Sequence, residues 1–236
     1  MKLFNWISKN ADTDKRFFKP FVGDNYGKGI NGKKVLVLGA SFYCSKTGCV
    51  HFRSCTDTQK KDSSPYDRKC PSYAAAGKRL SLEPSYCIED SPKTYQTFAS
   101  LMQSIAGTYS YEDTWDRMAF TNYVQFFLPA TGKKFRETLR TDISKRDFEA
   151  LVETVKELKP HIIIVWGCVI NSYLREENPY FVSLEELEAN EEYLWHIKVP
   201  GVDHQIAVVN PYHPSSSAWN SGLHIFRQYL NKALNE

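Results

Sequence analysis

The sequence predicts an α/β protein, a three-layer sandwich in which helices cover both faces of a central four-stranded parallel sheet. Three observations lead to this fold class. Four short apolar runs are continuous rather than alternating, which is typical of strands buried on both faces. Stretches with helical spacing of apolar residues separate these runs. The 236 residues, 42% hydrophobic and 24% charged, are enough for one such domain with a large core.

The first strand follows an irregular, partly aromatic N-terminal arm at residues 1–32. The strand covers residues 34–38 (Lys-Val-Leu-Val-Leu) and is followed directly by Gly39. A glycine here lets the backbone approach a ligand closely. Residues 44–92 are rich in Cys, Ser, Pro and charged residues, and we interpret them as an insertion with little regular structure.

Helices and strands alternate along the rest of the chain. The residues from Ser144 to Asp147 resemble a capping box, and Pro160 stops the helix that they begin. Apolar spacing and the length of the apolar runs predict the other elements. We expect helices at 95–105, at 145–158, from 183 to about 194 and at 221–234, and further strands at 118–124, 161–167 and 205–209.

Unusual residues stand at three predicted strand ends: Gly39, Asn122 and His213. The carboxyl ends of parallel strands meet at one edge of a sheet, where α/β proteins bind ligands. An Asn side chain offers a donor and an acceptor that match the edge of a pyrimidine base, and Phe42 or Tyr43 can stack on that base. Alternatively, His213 satisfies loop carbonyls and the serines after it cap a helix.

Four segments, in this order, resemble the uracil-DNA glycosylase superfamily. They are the strand ending in Gly at 35–39, Phe-Thr-Asn-Tyr-Val at 120–124, the strand ending in Gly at 162–167, and Tyr-His-Pro-Ser at 212–215. The second segment, followed by Pro129, and the third strand, preceded by Lys-Pro-His, are most similar to the bacterial iron–sulfur-containing branch. The resemblance covers residues 34–234 without the Cys-rich insertion.

This resemblance implies the fold of that superfamily and a DNA base-excision glycosylase. Such an enzyme hydrolyses the N-glycosidic bond of uracil or another damaged base that is flipped out of the DNA. It implies that His213 stabilises the negative charge developing on uracil O2 and that Asn122 reads the uracil edge. The other members of the implied site are Gly39, Phe42 and Tyr43 for base binding, Ser215 and Ser216 for a DNA phosphate, and Trp219 as a wedge in the DNA.

Ser41 departs from the pattern of the superfamily. Several members carry an acid near this position that activates or orients water, and a serine is a poor base unless another group deprotonates it. We keep Ser41 as a candidate catalytic position. We also keep a second function open, a nucleic-acid-binding module of the same fold with little or no activity. A nucleotide- or sugar-phosphate-binding protein is a weaker alternative, because no Gly-rich phosphate loop follows Leu38.

Five of the six cysteines lie in or at the edge of the insertion. Thiolates in a polar loop can hold a structural zinc ion or an iron–sulfur cluster, and the first candidate ligands are Cys44, Cys49, Cys55 and Cys70. Their spacing matches no strong zinc signature, so unliganded thiols are the alternative. The implied catalysis requires no cofactor. Cys168, after the third strand, is expected to be a small core residue.

Composition limits the partners and the location. A net charge of +3 permits binding to DNA, including single-stranded or damaged DNA, without requiring it. The longest purely apolar stretch, at 162–166, is too short to cross a bilayer, and the first residues lack the apolar region of a signal peptide. We therefore expect a cytoplasmic protein that does not contact membranes. The sequence does not predict the oligomeric state.

Overall fold

The computed structural model describes residues 16, 18–44, 93–107, 110–125, 127–129, 138–177 and 193–235. The strands in these ranges are β1 (Phe21–Val22), β2 (Val35–Gly39), β3 (Phe42–Cys44), β4 (Met118–Asn122), β5 (Phe127–Pro129), β6 (Ile162–Val165), β7 (Leu194–Ile197) and β8 (Ile206–Val209). The helices are α1 (Lys93–Ala106), α2 (Tyr111–Asp116), α3 (Lys145–Leu158), α4 (Cys168–Glu177) and α5 (Trp219–Asn235), and Arg140–Asp142 forms a 3₁₀ turn.

The main sheet has six strands in the order β1-β4-β2-β6-β8-β7. Its four central strands are parallel and correspond to the four apolar runs, which confirms the predicted α/β class. The sheet is larger than the four strands we expected, because β1 and β7 each add an antiparallel edge strand. A separate two-stranded parallel sheet joins β3 and β5, just beyond the ends of β2 and β4.

Helices cover both faces of the main sheet because alternate residues of its strands point to opposite sides. Val35 and Val37 belong to one buried cluster with α1, α2 and α5, and we call this side the α5 face. Leu36 and Leu38 belong to a second buried cluster with α3 and α4, which we call the α3 face. No helix in the described part of the chain has the length and apolar character needed to span a membrane.

Two of the predicted segments differ from the structure. We expected a helix from residue 183 to about 194, but Leu194 begins strand β7 and pairs with Val209; residues 183–192 lie outside the described ranges. The arm is not wholly irregular either, since Phe21 and Val22 pair with β4. Of the predicted Cys-rich insertion, the described ranges contain only Cys44, at the end of β3.

Candidate functional site

Gly39 and Asn122 are direct neighbours at the carboxyl edge of the sheet. They are register partners in the parallel pair of β2 and β4, and the pairing continues through Tyr123 N, which donates to Gly39 O at 2.8 Å. A Cβ atom on residue 39 would overlap the Asn122 Oδ1 atom and would lie 3.0 Å from the Phe120 ring. Position 39 therefore has to be glycine for the Asn122 carboxamide to lie across the end of β2.

The Asn122 side chain is almost buried at this edge, with no hydrogen-bond partner among the described residues. The residue is 5% exposed, and no described residue forms a hydrogen bond with its side chain. Its backbone oxygen, in contrast, accepts a bond from Gln125 Nε2 at 2.8 Å. The carboxamide is not among the fully enclosed side-chain atoms without a partner, so the penalty of a sealed, unsatisfied amide does not apply to it. This arrangement is suited to a ligand that supplies the missing partner.

His213 is held as a neutral hydrogen-bond donor in the loop after β8. Its Nδ1 atom accepts the backbone N–H of Ser215 at 3.2 Å and lies 2.8 Å from the Ser215 hydroxyl. Because a backbone N–H can only donate, Nδ1 carries no proton and the neutral ring is protonated at Nε2. Burial lowers the pKa of His213, which favours this neutral form at pH 7. Among the described residues, Nε2 has no partner.

Asn122 and His213 lie at the same edge and on the same face of the sheet. Phe120, two residues before Asn122, belongs to the buried cluster of the α5 face, as does Trp166 at the end of β6. The Trp166 ring lies 5.5 Å from the Phe120 ring and 5.8 Å from the His213 ring, measured between centroids. Asn122 and His213 therefore share one edge and one face of the sheet, and Trp166 lies between the strands that carry them.

The sequence analysis did not identify two polar residues that support this edge. Asn210 follows β8, and its Nδ2 atom lies within hydrogen-bond distance of three carbonyl oxygens: those of Val165 at 2.7 Å, Gly167 at 3.2 Å and Pro211 at 3.3 Å. Asn210 thus joins the ends of β6 and β8 and fixes the start of the His213 loop. The other residue is Gln125, after β4. In the sequence, Asn210 and Gln125 stand out only as polar residues that directly follow an apolar run.

Ser41 bonds to another hydroxyl and not to a base. Its Oγ atom lies 2.9 Å from Thr138 Oγ1, and within the described ranges no carboxylate or imidazole contacts it. A serine hydroxyl needs an adjacent base or a strongly lowered pKa to act as a base or a nucleophile. The described surroundings of Ser41 provide neither.

The aromatic pair after β2 is partly buried among other side chains. The Phe42 ring meets Phe18 edge-on at 4.5 Å and lies 6.4 Å from Phe127. Tyr43 packs against the cluster of the α3 face. Stacking of either ring on a base therefore stays a prediction.

The three residues predicted to contact DNA lie in different surroundings. Trp219 is 5% exposed and packs against Phe226 in the core, a position that does not favour a wedge, and this role stays a prediction. Both donors of Ser215 face His213, so in this structure they orient the imidazole. The Ser216 hydroxyl is buried and has no hydrogen-bond partner in the described part of the chain.

Of the four candidate metal ligands, Cys44 lies within the described ranges. Cys49, Cys55 and Cys70 lie outside the described ranges, and the position of the Cys44 side chain is not described. Among the described residues, no group of three or more His, Cys, Asp or Glu side chains could hold a metal ion. Cys168 is exposed at the first position of α4, so our expectation of a core cysteine was wrong.

Comparison with known proteins does not assign the site. No family model matched the chain in a scan of known protein families, and no curated protein matched it in a sequence search. The functional argument therefore depends on the carboxyl edge itself, where a neutral imidazole shares one face with a carboxamide that has no hydrogen-bond partner among the described residues.

Proposed function

We propose that this protein binds a base flipped out of DNA at the carboxyl edge of its sheet and hydrolyses the N-glycosidic bond of that base. The observation that carries the proposal is the buried Asn122 carboxamide, which has no partner among the described residues and lies on the same face as the neutral His213. An amide matches the donor and acceptor edge of a pyrimidine, and it is poorly suited to a purely structural role when unpaired.

The chemistry that we propose needs a hydrogen-bond donor where negative charge develops. When the C1′–N bond breaks, its electron pair moves to the base and much of the charge appears on a carbonyl oxygen. The Nε2–H group of His213 donates to that oxygen and lowers the barrier. Water adds to C1′ and loses a proton to solvent, while the departing base gains one. No step in this sequence uses a cofactor.

The substrate class is DNA that contains uracil or another damaged base with a carbonyl next to the glycosidic nitrogen. Asn122 reads the outer edge of the base, while Gly39 leaves room for the Asn122 side chain. Base flipping is least costly in single-stranded or mismatched DNA, so we expect these forms to react fastest.

A second function, base-specific binding without cleavage, is favoured by one observation. Ser41 stands where an acid would orient water, and its hydroxyl is paired with Thr138 rather than with a base. Without a group that positions water, the proposed site can still hold a base through Asn122 and His213. The two functions share a binding site and differ in the rate of hydrolysis.

One experiment separates these functions. Base release is measured by alkaline strand cleavage of labelled oligonucleotides that carry uracil, in single-stranded and double-stranded form, and binding is measured on the same oligonucleotides. Variants Asn122→Ala and His213→Ala are compared with the control His224→Ala on the exposed side of α5. Cleavage that both site variants lose, and the control keeps, supports a glycosylase.

Binding without cleavage, if Asn122→Ala weakens it, supports the binding module. A protein that neither cleaves nor prefers uracil contradicts both functions for this base. The assay is then repeated with oligonucleotides carrying other deaminated or oxidised bases, and failure on all of them contradicts the proposal.

A further inference from the structure

We propose that Gln125 is a positioning residue that connects the N-terminal arm to Asn122. This inference builds on the proposed function, because it assigns a residue to the site that reads the base. Gln125 follows β4 by three positions and is 3% exposed. Its backbone and its side chain together reach three separate parts of the structure.

The Gln125 side chain bridges the arm and the base-reading strand. Its Nε2 atom donates to Asn122 O at 2.8 Å, and its Oε1 atom accepts the Phe18 backbone N–H at 3.1 Å. A carbonyl can only accept and a backbone N–H can only donate, so these two partners fix the orientation of the amide. In a glutamate at position 125, a carboxylate oxygen would replace Nε2 and face the backbone oxygen of Asn122.

The backbone of Gln125 is held separately. Its N–H donates to Asp147 Oδ1 at 2.7 Å, and the other oxygen of this carboxylate accepts Ser144 N at 2.7 Å and Ser144 Oγ at 3.0 Å. Asp147 is fully buried at the start of α3. The loop after β4 is thus anchored to α3 on one side and to the arm on the other.

The arm residue in this bridge also contacts the predicted stacking ring. Phe18 is 1% exposed, and its ring lies 4.5 Å from Phe42 and 5.2 Å from Phe127. One residue of the arm therefore touches both parts of the proposed base pocket, the stacking side through its ring and the reading side through Gln125. The arm is a structural part of the site.

Asn122 depends on this bridge because nothing among the described residues holds its carboxamide directly. The direction of that carboxamide is set by the backbone of β4 and by Gly39, and Gln125 fixes the Asn122 carbonyl. If the bridge is lost, we expect the carboxamide to sample several orientations. The loss of selectivity for the base should then be larger than the loss in the free energy of unfolding.

The test compares Gln125→Leu, Gln125→Glu and the control Thr154→Val. Leucine removes both hydrogen bonds, while the control removes a buried hydrogen bond from Thr154 Oγ1 to Ala150 O within α3. Glutamate keeps the acceptor for Phe18, but it donates to Asn122 O only when protonated. The neighbouring Asp147 carboxylate favours that protonated form, so its effect should depend on pH.

The first readout needs no activity. The ¹⁵N-labelled side-chain signal of Asn122, assigned by its loss in Asn122→Ala, should broaden or multiply in Gln125→Leu, and the Phe18 amide should exchange with solvent at least about tenfold faster. In Gln125→Glu the Asn122 signal should resemble the unmodified protein at pH 5 and Gln125→Leu at pH 8. An unchanged Asn122 signal in Gln125→Leu overturns the inference.

The second readout is base release or base-specific binding by folded protein. We expect Gln125→Leu to lower it about tenfold, corresponding to one buried hydrogen bond, and Thr154→Val to leave it unchanged at equal stability. Equal losses in both variants also overturn the inference. If the unmodified protein neither releases nor selects a base, the proposed function fails, and the Asn122 and Phe18 signals still decide whether the bridge exists.

Discussion

Two histidines at opposite ends of the sheet share the same chemical state. His213 lies beyond the carboxyl edge, and its Nδ1 atom accepts the Ser215 N–H. His161 lies at the amino edge just before β6, and its Nδ1 atom accepts the Lys34 N–H at 3.0 Å. Both rings are therefore protonated at Nε2 when neutral, and the pKa of each is lowered.

The surroundings of these histidines differ. Burial alone lowers the pKa of His213, whereas burial and then the charges of His204, Lys33 and Lys34 lower that of His161. His161 stacks on His204 at 4.6 Å, and His204 is itself engaged by Asp203 and by the Pro160 carbonyl. Of these two histidines, His213 shares its edge and face with the Asn122 carboxamide, which has no hydrogen-bond partner among the described residues. A lowered pKa is therefore common to both histidines and does not distinguish the one that we propose to be functional.

Replacing each histidine in turn tests this contrast most directly. We expect His213→Ala to lower base release by about 100-fold or more, as the loss of an oxyanion donor does in other enzymes. His161→Ala should leave base release unchanged, because its ring lies at the other end of the sheet. Single-turnover release from a uracil-containing oligonucleotide measures both. Equal effects of the two substitutions would show that the edges are not functionally distinct.

A second prediction compares two buried asparagines at the carboxyl edge. Asn210→Ala should lower the free energy of unfolding by about 1–3 kcal/mol, because it leaves buried carbonyls without their donor. Asn122→Ala should leave stability unchanged or raise it, since the carboxamide it removes has no partner among the described residues. Urea unfolding measures both values. A large loss of stability in Asn122→Ala would mean that its role is structural.

Stability should fall on acidification, and both histidines should contribute. A lowered pKa means that the unfolded chain binds protons first, so stability is complete above about pH 6.5, the ordinary pKa of histidine, and declines as pH falls from there to the folded pKa. We expect His213→Gln and His161→Gln each to reduce the loss of stability between pH 7.5 and 5.5. At position 161, glutamine still offers an acceptor to Lys34 N–H. Unfolding curves that keep the original pH dependence would contradict the assignment.

The smallest effect is expected at Ser41. Its hydroxyl contacts only Thr138 among the described residues, so Ser41→Ala should lower base release less than about threefold and cost about 1 kcal/mol of stability. Base release and urea unfolding are measured on the same samples. If Ser41→Ala abolishes release while His213→Ala does not, the chemical centre lies in the loop after β2 instead.

The parallel centre of the fold could be predicted from sequence, and the edges of the sheet could not. Runs such as residues 162–165 are long, apolar and continuous, so they identify buried strands by themselves. Strand β1 has two residues, and β7 is recognisable only through its pairing with β8. Such short strands depend on partners distant in sequence.

The same contrast applies to the site. Gly39, Asn122 and His213 could be grouped in advance because parallel strands end at one edge. The hydrogen bonds of Gln125 to Phe18 and Asn122, and the burial of Trp219, depend on side-chain packing that no local pattern encodes.

The two antiparallel edge strands have a consequence for how this protein is handled. Each covers a central parallel strand whose N–H and C=O groups would otherwise be open to another chain. Strand β1 pairs with β4 through Phe21 and Val22, and Gly23 N donates to Met118 O at 3.0 Å just after them, so shortening the chain to begin after Gly23 would leave β4 open along one side. We expect such a shortened protein to self-associate through β4. Protein prepared for measurement should therefore keep β1.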